Sequence, residues 1–366
     1  MSSAFFIVRP RAQRGRDKFR LYSDVRGAAY ERLIDYAMER ADTFMLGIHK
    51  WATEDENGVI DQDTLFKELL QQLKPFLLST HSYEEIRGMH SIAYTQGTFY
   101  RYQCAPEAGG LLKQAASSLF SWVHPQLPED LCFQNADGED WIINIAHERI
   151  GRLNMATEEA DELEKLIPGV FIHKPEYHQN IDVFLNDAIR HQPDRVELMS
   201  FGLREIPERI RELHSLKHLT IFEQDIRTLP HALFELESLE SLTIQVADLE
   251  ELPADIAKLT RLKSLRISCG CYDRPAPDVK VIPKEELAFR HLPPEIGELQ
   301  QLEYLDIQYS GIRTLPPEIQ NLNNLRSLDI VNGFIESAPD FIYKMTWLDR
   351  FLIEDKPFHL CNHGDD

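Results

Sequence analysis

The sequence predicts two folding units, an α/β solenoid of tandem repeats in the C-terminal half and a separate α+β domain in the N-terminal half. In the second half, a proline preceded by leucine, isoleucine or alanine recurs mostly at intervals of 23 residues. The first half has no repeat and mixes helical spacing with the alternation typical of strands. Prolines and a glycine in residues 168–175 indicate a boundary. We expect the α+β domain over residues 1–172, a linker with a capping helix over 173–195, and the solenoid over 196–366.

Composition and charge limit the classes of partner. The chain has 366 residues, with 60 Asp and Glu against 39 Lys and Arg, so its net charge is -21. This charge repels the phosphates of nucleic acids and anionic lipids, and no apolar run is long enough to cross a bilayer. We therefore expect no nucleic-acid partner, no membrane partner and a cytoplasmic location.

The five cysteines are too few and too scattered for a disulfide framework, which is typical of a reducing compartment. Cys269 and Cys271 are one residue apart and no matching pair of ligands accompanies them, so a metal site there is disfavoured. Cys132 lies in an apolar stretch typical of a core strand. We predict no metal site and no cofactor.

The repeat has a defined internal spacing. Its prolines are Pro207, Pro230, Pro253, Pro293, Pro316 and Pro339, and the one long interval equals a repeat plus 17 residues. After each proline the apolar residues are three apart and then two apart, as in Ile210, Leu213, Leu216, Leu219 and Ile221. A spacing of three suits a 3₁₀ turn, and a spacing of two suits a short strand. One such unit cannot bury its own apolar face, so the units must stack with parallel strands.

This pattern resembles the leucine-rich repeat family, in the 23-residue form with the L-P signature common in bacterial and intracellular members. The resemblance covers about residues 196–353 and implies an α/β leucine-rich-repeat solenoid with seven parallel strands, centred near residues 197, 220, 243, 266, 306, 329 and 352. Residues 181–189 have helical spacing and predict a helix that caps the first repeat.

The chain departs from the family pattern in two ways. The position that usually carries asparagine holds Phe201, Gln224, Ala247, Gly270, Ser310 and Gly333. Without that amide ladder, we expect a solenoid held mainly by leucine burial, with less regular hydrogen bonding between turns. An insertion over about residues 268–284 interrupts the repeat, and loops inserted in repeat proteins often lie at a binding rim.

The concave face of the predicted solenoid is the candidate binding surface. Residues that alternate with the buried positions of each strand project from it, and aromatic and arginine side chains are enriched at binding hot spots. The predicted partner-binding residues are Phe222, Arg266, Tyr304, Asp306, Tyr309 and Asp329, with Tyr272 and Arg274 of the insertion. The alternative interpretation is that these are solvated strand residues on an inert scaffold.

The first half has a mixed pattern of elements. We predict helices over 28–42, 63–78 and 157–166, the last capped by Thr157, and a strand over 43–49. Residues 91–104 predict a long strand or a hairpin around residues 96–97, and a further hairpin is predicted in which 131–134 and 141–147 flank the turn 135–138. Residues 119–133 with Trp141 and residues 146–149 look like a family of small uncharacterised bacterial proteins with a PEDLCF…W…HE segment. That resemblance implies no chemistry.

Catalytic motifs are incomplete in the first half. His147 and Glu148 begin a zinc-protease pattern, but position 151 is Gly where the second histidine is needed. Glu129 and Asp130 follow a proline and are typical of a turn or a strand entry rather than of an acid/base pair. We therefore predict no catalytic residue, and we interpret His147 as structural.

The sequence favours a non-enzymatic protein–protein interaction protein. Within that class, an acidic chain without active-site motifs suits a bacterial immunity protein that neutralises a basic toxin by binding it. The alternative is an enzyme or a delivered effector whose activity lies in residues 1–172, with the repeats recruiting its target. A deep pocket converging on Trp122, His147 and Glu148 would favour the enzyme. The oligomeric state is left open.

Overall fold

The computed structural model describes residues 17–50, 66–174, 177, 180–199, 201–269, 283–353 and 356–358. The chain divides into two compact units, Met1–Lys174 and Pro175–Asp366. Within the described ranges, none of the helices combines the length and the apolar character needed to cross a membrane.

An antiparallel sheet forms the centre of the first unit. Its strands among the described residues are β1 (Asp17–Arg20), β2 (Thr43–His49), β3 (Leu77–Ser82), β4 (Gly97–Gln103), β5 (Glu129–Gln134), β6 (Asp140–Ile145) and β7 (Ile150–Met155). They lie in the order β1-β7-β6-β5-β2-β4-β3. The helices are α1 (Ala28–Arg40), α2 (Lys67–Leu73), α3 (Tyr83–Ile86), α4 (Pro106–Ala115) and α5 (Thr157–Leu166).

The sheet is covered on both faces because successive strand residues point to opposite sides. Phe44 and Phe133 belong to a core that includes the apolar faces of α1, α4 and α5. Met45 and Cys132, their neighbours in sequence, belong to a second core with Ile92 on the other face. Burial on both faces explains why β5 and β6 are buried along their whole length.

Several sequence predictions for the first unit are confirmed. The helix predicted over 28–42, the strand over 43–49 and the hairpin around 135–138 are present as α1, β2 and β5–β6. Cys132 is fully buried, as predicted. Thr157 is the first residue of α5 and not its cap, because the N-cap position is Ala156.

Two predicted elements in the first unit are too long. The helix predicted over 63–78, of which residues 63–65 lie outside the described residues, ends at Leu73. Pro75 lies in the 3₁₀ turn that follows, where its missing N–H cannot continue the helix. The strand predicted over 91–104 begins only at Gly97.

Asp140 fixes the segment that precedes β4. Its Oδ2 accepts a hydrogen bond from the backbone N–H of Ser91 (2.6 Å), and its Oδ1 lies 2.9 Å from Nδ1 of His90. Gln134 Nε2 donates to the same Oδ1 at 3.2 Å. Burial favours the protonated acid, but these hydrogen bonds together outweigh it, so the pKa of Asp140 lies below its ordinary value.

Replacing Asp140 by Asn should destabilise the protein by about 2 kcal/mol at pH 7, because the buried network loses its negative charge and one of its two acceptor oxygens. A depressed folded-state pKa contributes stability above the ordinary value of about 3.9, and this contribution is lost as the pH falls through the folded-state pKa. The difference from the parent protein should therefore shrink below about pH 4 in urea unfolding followed by circular dichroism. Asp161→Asn, on the exposed side of α5, is the control. A difference that stays constant down to pH 2.5 would contradict the assignment.

The second unit is a stack of parallel strands. After α6 (Ile181–His191) come β8 (Arg195–Met199), β9 (His218–Phe222), β10 (Ser241–Val246), β11 (Ser264–Cys269), β12 (Tyr304–Gln308), β13 (Ser327–Val331), β14 (Arg350–Ile353) and β15 (Lys356–Phe358). Strands β8 to β14 are parallel and follow the order of the sequence. These seven predicted strands are confirmed. β15, which was not predicted, adds to β14 antiparallel.

The register matches equivalent leucines across the stack. Leu242 pairs with Leu219 on one side and Leu265 on the other, and all three are buried. A 3₁₀ segment follows each repeat proline, as Glu208–Glu212 does. At the N-terminal end, Asn180 Oδ1 accepts from the first backbone N–H groups of α6, which lies against that segment. The predicted capping helix is therefore confirmed.

Backbone hydrogen bonds join the turns more regularly than predicted. The carbonyl of Asp194 accepts from the N–H groups of Lys217 and His218, at 2.8 and 2.9 Å. The same pattern recurs at the carbonyls of Lys217, Glu240, Lys263, Glu303 and Arg326. The expectation of less regular bonding was wrong for the described residues, because it considered only the side-chain ladder.

Replacing Leu242 by Ala should lower the free energy of unfolding by about 2 to 5 kcal/mol, since the side chain is fully buried between two turns. The neighbouring Thr243→Ala change, on the half-buried alternate position, should cost less than about 1 kcal/mol. Urea denaturation at neutral pH measures both. Equal losses for the two variants would show that the register is wrong.

Candidate functional site

The side chains that alternate with the buried leucines form one surface, here termed the open face. Across the register they lie in three rows: Arg195, His218, Ser241, Ser264, Tyr304, Ser327, Arg350; then Glu197, Thr220, Thr243, Arg266, Asp306, Asp329, Leu352; then Met199, Phe222, Gln245, Ser268, Gln308, Val331. Most of these side chains are half-buried or exposed, in the alternating pattern of a sheet with one covered side. The rows place polar and aromatic groups on a surface formed before any partner binds.

An ion-pair network occupies the β11–β14 end of the open face. Asp306 and Asp329 are direct partners in the register, and like charges opposite each other repel. Arg266 Nε donates to Asp306 Oδ2 at 2.8 Å, and Arg350 Nε donates to Asp329 Oδ1 at 2.9 Å. Gln308 Nε2 also donates to Asp306 at 3.0 Å. Three of the predicted site residues, Arg266, Asp306 and Asp329, are thus brought together.

The two predicted aromatic anchors are far apart on the open face. Tyr304 is half exposed, and its register neighbours are the small residues Ser264 and Ser327. Phe222 is in another row, three strands away, and is more buried. Strand spacing of about 4.8 Å and a rise of about 3.3 Å per residue place them roughly 20 Å apart. The two rings therefore cannot contact each other.

Tyr309 follows β12 at the edge of the open face. Its φ is 50°, in the left-handed region that bulky residues seldom adopt, and its N–H donates to Val331 O at 3.0 Å. Tyr272 and Arg274 of the insertion lie outside the described residues.

A buried carboxylate anchors the turn beside Phe222. Glu223, at the end of β9, accepts hydrogen bonds from the backbone N–H groups of Phe201, Gly202 and Leu203 at 2.5 to 3.2 Å. Burial raises the pKa of Glu223, opposed by these three donors. The sequence analysis did not select Glu223, because the family pattern has its asparagine one position later. An acidic residue directly after the predicted strand was the available signal.

A second polar group in the first unit was also missed. Asp130 is fully buried and accepts hydrogen bonds from Tyr94 Oη (2.8 Å) and from the backbone N–H of Ala146 (2.7 Å). His49, also fully buried, has Nε2 3.4 Å from Asp130 Oδ2 and Nδ1 2.8 Å from Thr95 Oγ1. Asp130 lies at the start of β5, which agrees with the predicted strand entry. The hydrogen-bond network around it was not predicted.

Burial raises the pKa of two groups at this network, Tyr94 and Glu129. Burial, and then the charge of Asp130, raises the pKa of Tyr94 well above its ordinary value, so its hydroxyl remains a donor. Burial likewise raises the pKa of Glu129, the neighbour of Asp130 in sequence.

The three residues named for an enzyme pocket have different surroundings. Trp122 is fully buried, and its indole N–H donates to Tyr30 Oη at 3.1 Å within the core beneath α1. His147 lies instead beside Tyr94, with the two rings 5.5 Å apart. Glu148 lies 3.9 Å from His147 Nε2. The side chain of Trp122 therefore faces the core, while its carbonyl accepts a hydrogen bond from the N–H of Asp130, whose Oδ1 lies 3.9 Å from His147 Nδ1.

Comparison with known proteins returns leucine-rich repeat structures. The leucine-rich repeat domain of the type III effector XopL aligns at 30% identity over 48% of this chain and 56% of that domain, with a TM-score of 0.39. A leucine-rich repeat protein of Leptospira interrogans aligns at 21% identity over 46% of this chain and 45% of its own, with a TM-score of 0.34. An internalin of Listeria monocytogenes aligns at 18% identity over 46% of this chain and 50% of its own, with a TM-score of 0.31. This chain thus spans about half the length of each. No family model and no curated protein matches it.

The 23-residue register, the parallel strands and the 3₁₀ segment of each turn decide the fold. The second unit is a leucine-rich-repeat solenoid. Its fold is established by this geometry, and the open face is the inner strand surface of that solenoid.

The Arg266–Asp306 pair should show weak coupling, because Arg266 is largely solvent-exposed and water screens the charges. A double-mutant cycle with Arg266→Ala and Asp306→Ala should give about 0.2 to 1 kcal/mol in urea unfolding, decreasing at 1 M salt. The same cycle at Lys263 and Glu240, an exposed pair off the open face, is the comparison. A coupling energy above about 2 kcal/mol would mean that this ion pair stabilises the fold, and that it is not simply a solvent-exposed pair on the open face.

Proposed function

We propose that this chain acts by binding a protein partner on the open face of its leucine-rich-repeat solenoid, without catalysing a reaction. The observation that carries the proposal is Tyr304, a half-exposed aromatic side chain held between two serines on a rigid sheet. Aromatic side chains on preformed surfaces bind with little loss of conformational entropy.

The rigidity of the open face supports recognition of a folded protein. The strands are joined by continuous parallel pairing from β8 to β14, and the leucines beneath them are buried. A surface built in this way loses little entropy when it binds, in contrast to flexible loops. The three rows also offer hydroxyl and amide groups for hydrogen bonds around the aromatic anchor.

The charge of the partner is inferred from the whole chain. The described open face carries three arginines and three acidic residues, whereas the chain has a net charge of -21. The excess negative charge therefore lies elsewhere and attracts a basic protein from a distance. A basic toxin neutralised by occupation of its surface is the partner that this arrangement favours, which makes an immunity protein our specific proposal.

The intracellular setting proposed for this interaction is consistent with the cysteines. Cys104, Cys132 and Cys269 are free thiols, and burial is the main cause of a raised pKa at each. Buried thiols of this kind are unreactive and pack as small apolar groups.

Replacing Tyr304 by Ala should speed dissociation of the partner by about 5- to 150-fold, equivalent to about 1 to 3 kcal/mol, if the ring is a hot spot. The partner is first captured with the native chain and identified by mass spectrometry, and its kinetics are then measured by surface plasmon resonance. Raising the salt concentration should mainly slow association.

Tyr343 offers a matched control, since it is a similarly exposed tyrosine on the 3₁₀ side of the last repeat. Tyr343→Ala should leave both rate constants unchanged. If Tyr304→Ala has no effect while Tyr343→Ala weakens binding, the partner binds the opposite side and the proposal is wrong. If neither has an effect, the solenoid is not the binding unit.

A further inference from the structure

Two carboxylates and one imidazole meet in the first unit. Glu129 and Asp130 begin β5, and His147 lies in the turn between β6 and β7. Nδ1 of His147 is 3.7 Å from Oε2 of Glu129 and 3.9 Å from Oδ1 of Asp130. One ligand atom from each residue lies within 4.8 Å of the other two. Tetrahedral ligands at about 2.1 Å from an ion are roughly 3.4 Å apart, so the two distances to His147 are close to those of a metal site.

The backbone explains how adjacent carboxylates reach the same point. Consecutive strand residues normally face opposite sides of a sheet. Asp130 has a φ of 61°, which breaks this alternation, and aspartate tolerates the left-handed region better than most residues. The N–H of His124 donates to Glu129 Oε1, and the N–H of Ala146 donates to Asp130 Oδ1, both at 2.7 Å. Both carboxylates are thereby oriented by groups outside the cluster, as metal ligands usually are.

Glu129 supplies the independent observation that a ligand is required. Its side chain is 1% exposed, and its Oε2, the atom nearest His147, has no hydrogen-bond partner among the described residues. Within the same residues, no lysine or arginine pairs with Glu129 or Asp130. A buried carboxylate oxygen without a donor is unfavourable, and two adjacent carboxylates need a compensating positive charge.

We propose that Glu129, Asp130 and His147 bind one divalent transition-metal ion of the Zn²⁺ or Mn²⁺ type. Imidazole with two carboxylates suits these ions, whereas Ca²⁺ requires six to eight oxygen ligands. Tyr94 Oη donates to Asp130 Oδ2 and also lies 3.1 Å from Nδ1 of His147, so this hydroxyl contacts two of the three ligands. His147 is partly exposed, so the ion is reached from solvent and keeps positions for water.

The test uses the full chain without a histidine tag, stripped of metal with a chelator. Isothermal titration with ZnCl₂ and with MnCl₂ should show one saturable site for at least one of the two ions, and the same ion should raise the melting temperature measured by circular dichroism. Glu129→Gln, which preserves shape, and His147→Ala should each weaken affinity at least 10-fold and abolish the rise in melting temperature. CaCl₂ should give no saturable heat.

His231→Ala is the matched control, because His231 is an exposed histidine beside Asp255 in the second unit. It should leave the affinity unchanged. The proposal is overturned if the parent chain shows no saturable binding below 1 mM. It is also overturned if His231→Ala is the only variant that loses affinity. If Glu129→Gln fails to fold, His147→Ala provides the test, because that substitution lies in a turn. An unchanged metal affinity in His147→Ala would then overturn the proposal.

Discussion

The structure of the second unit depends on one constraint, which is that a single turn of the repeat cannot bury its own leucines. Leu242 is sheltered only because Leu219 and Leu265 lie at the same register position in the neighbouring strands. That requirement fixes the parallel pairing, and the pairing in turn aligns the alternate side chains into rows. The open face is therefore a consequence of leucine burial, and its geometry is rigid for the same reason.

The solenoid could be predicted almost residue by residue because spacing in sequence maps directly onto spacing in the strands. The change from intervals of three to intervals of two marks each strand, and the structure has all seven where this rule places them. Side-chain roles were less predictable. Glu223 holds a turn from a position where no asparagine was sought, and the distance between Phe222 and Tyr304 requires the register across four strands, which a single repeat does not contain.

In the first unit, local elements could be predicted from the sequence and long-range polar contacts could not. Helix α1 and the β5–β6 hairpin are local, and their spacing and turn residues predict them. The polar network is not local, because His49 meets Asp130 across 81 residues and Tyr94 meets it across 36. The network also depends on the left-handed backbone conformation of Asp130. Aspartate permits this conformation, but the residue type alone does not predict it. No pattern of spacing could have placed Glu129, Asp130 and His147 together.

Four charged residues of the open face are paired with one another, so they contribute little to the recognition of a partner. Arg266, Asp306, Asp329 and Arg350 already form ion pairs with one another, so a partner gains little from adding a charge opposite them. Covering these pairs removes water from them, which is unfavourable unless the partner supplies hydrogen bonds in return. The two serines beside Tyr304, Ser264 and Ser327, carry no charge and have no such desolvation cost. On the basic partner that we propose, the matching patch is therefore expected to be polar and aromatic at its centre. Its basic residues are expected outside the contact, where they act on the rate of encounter and not on the strength of the complex.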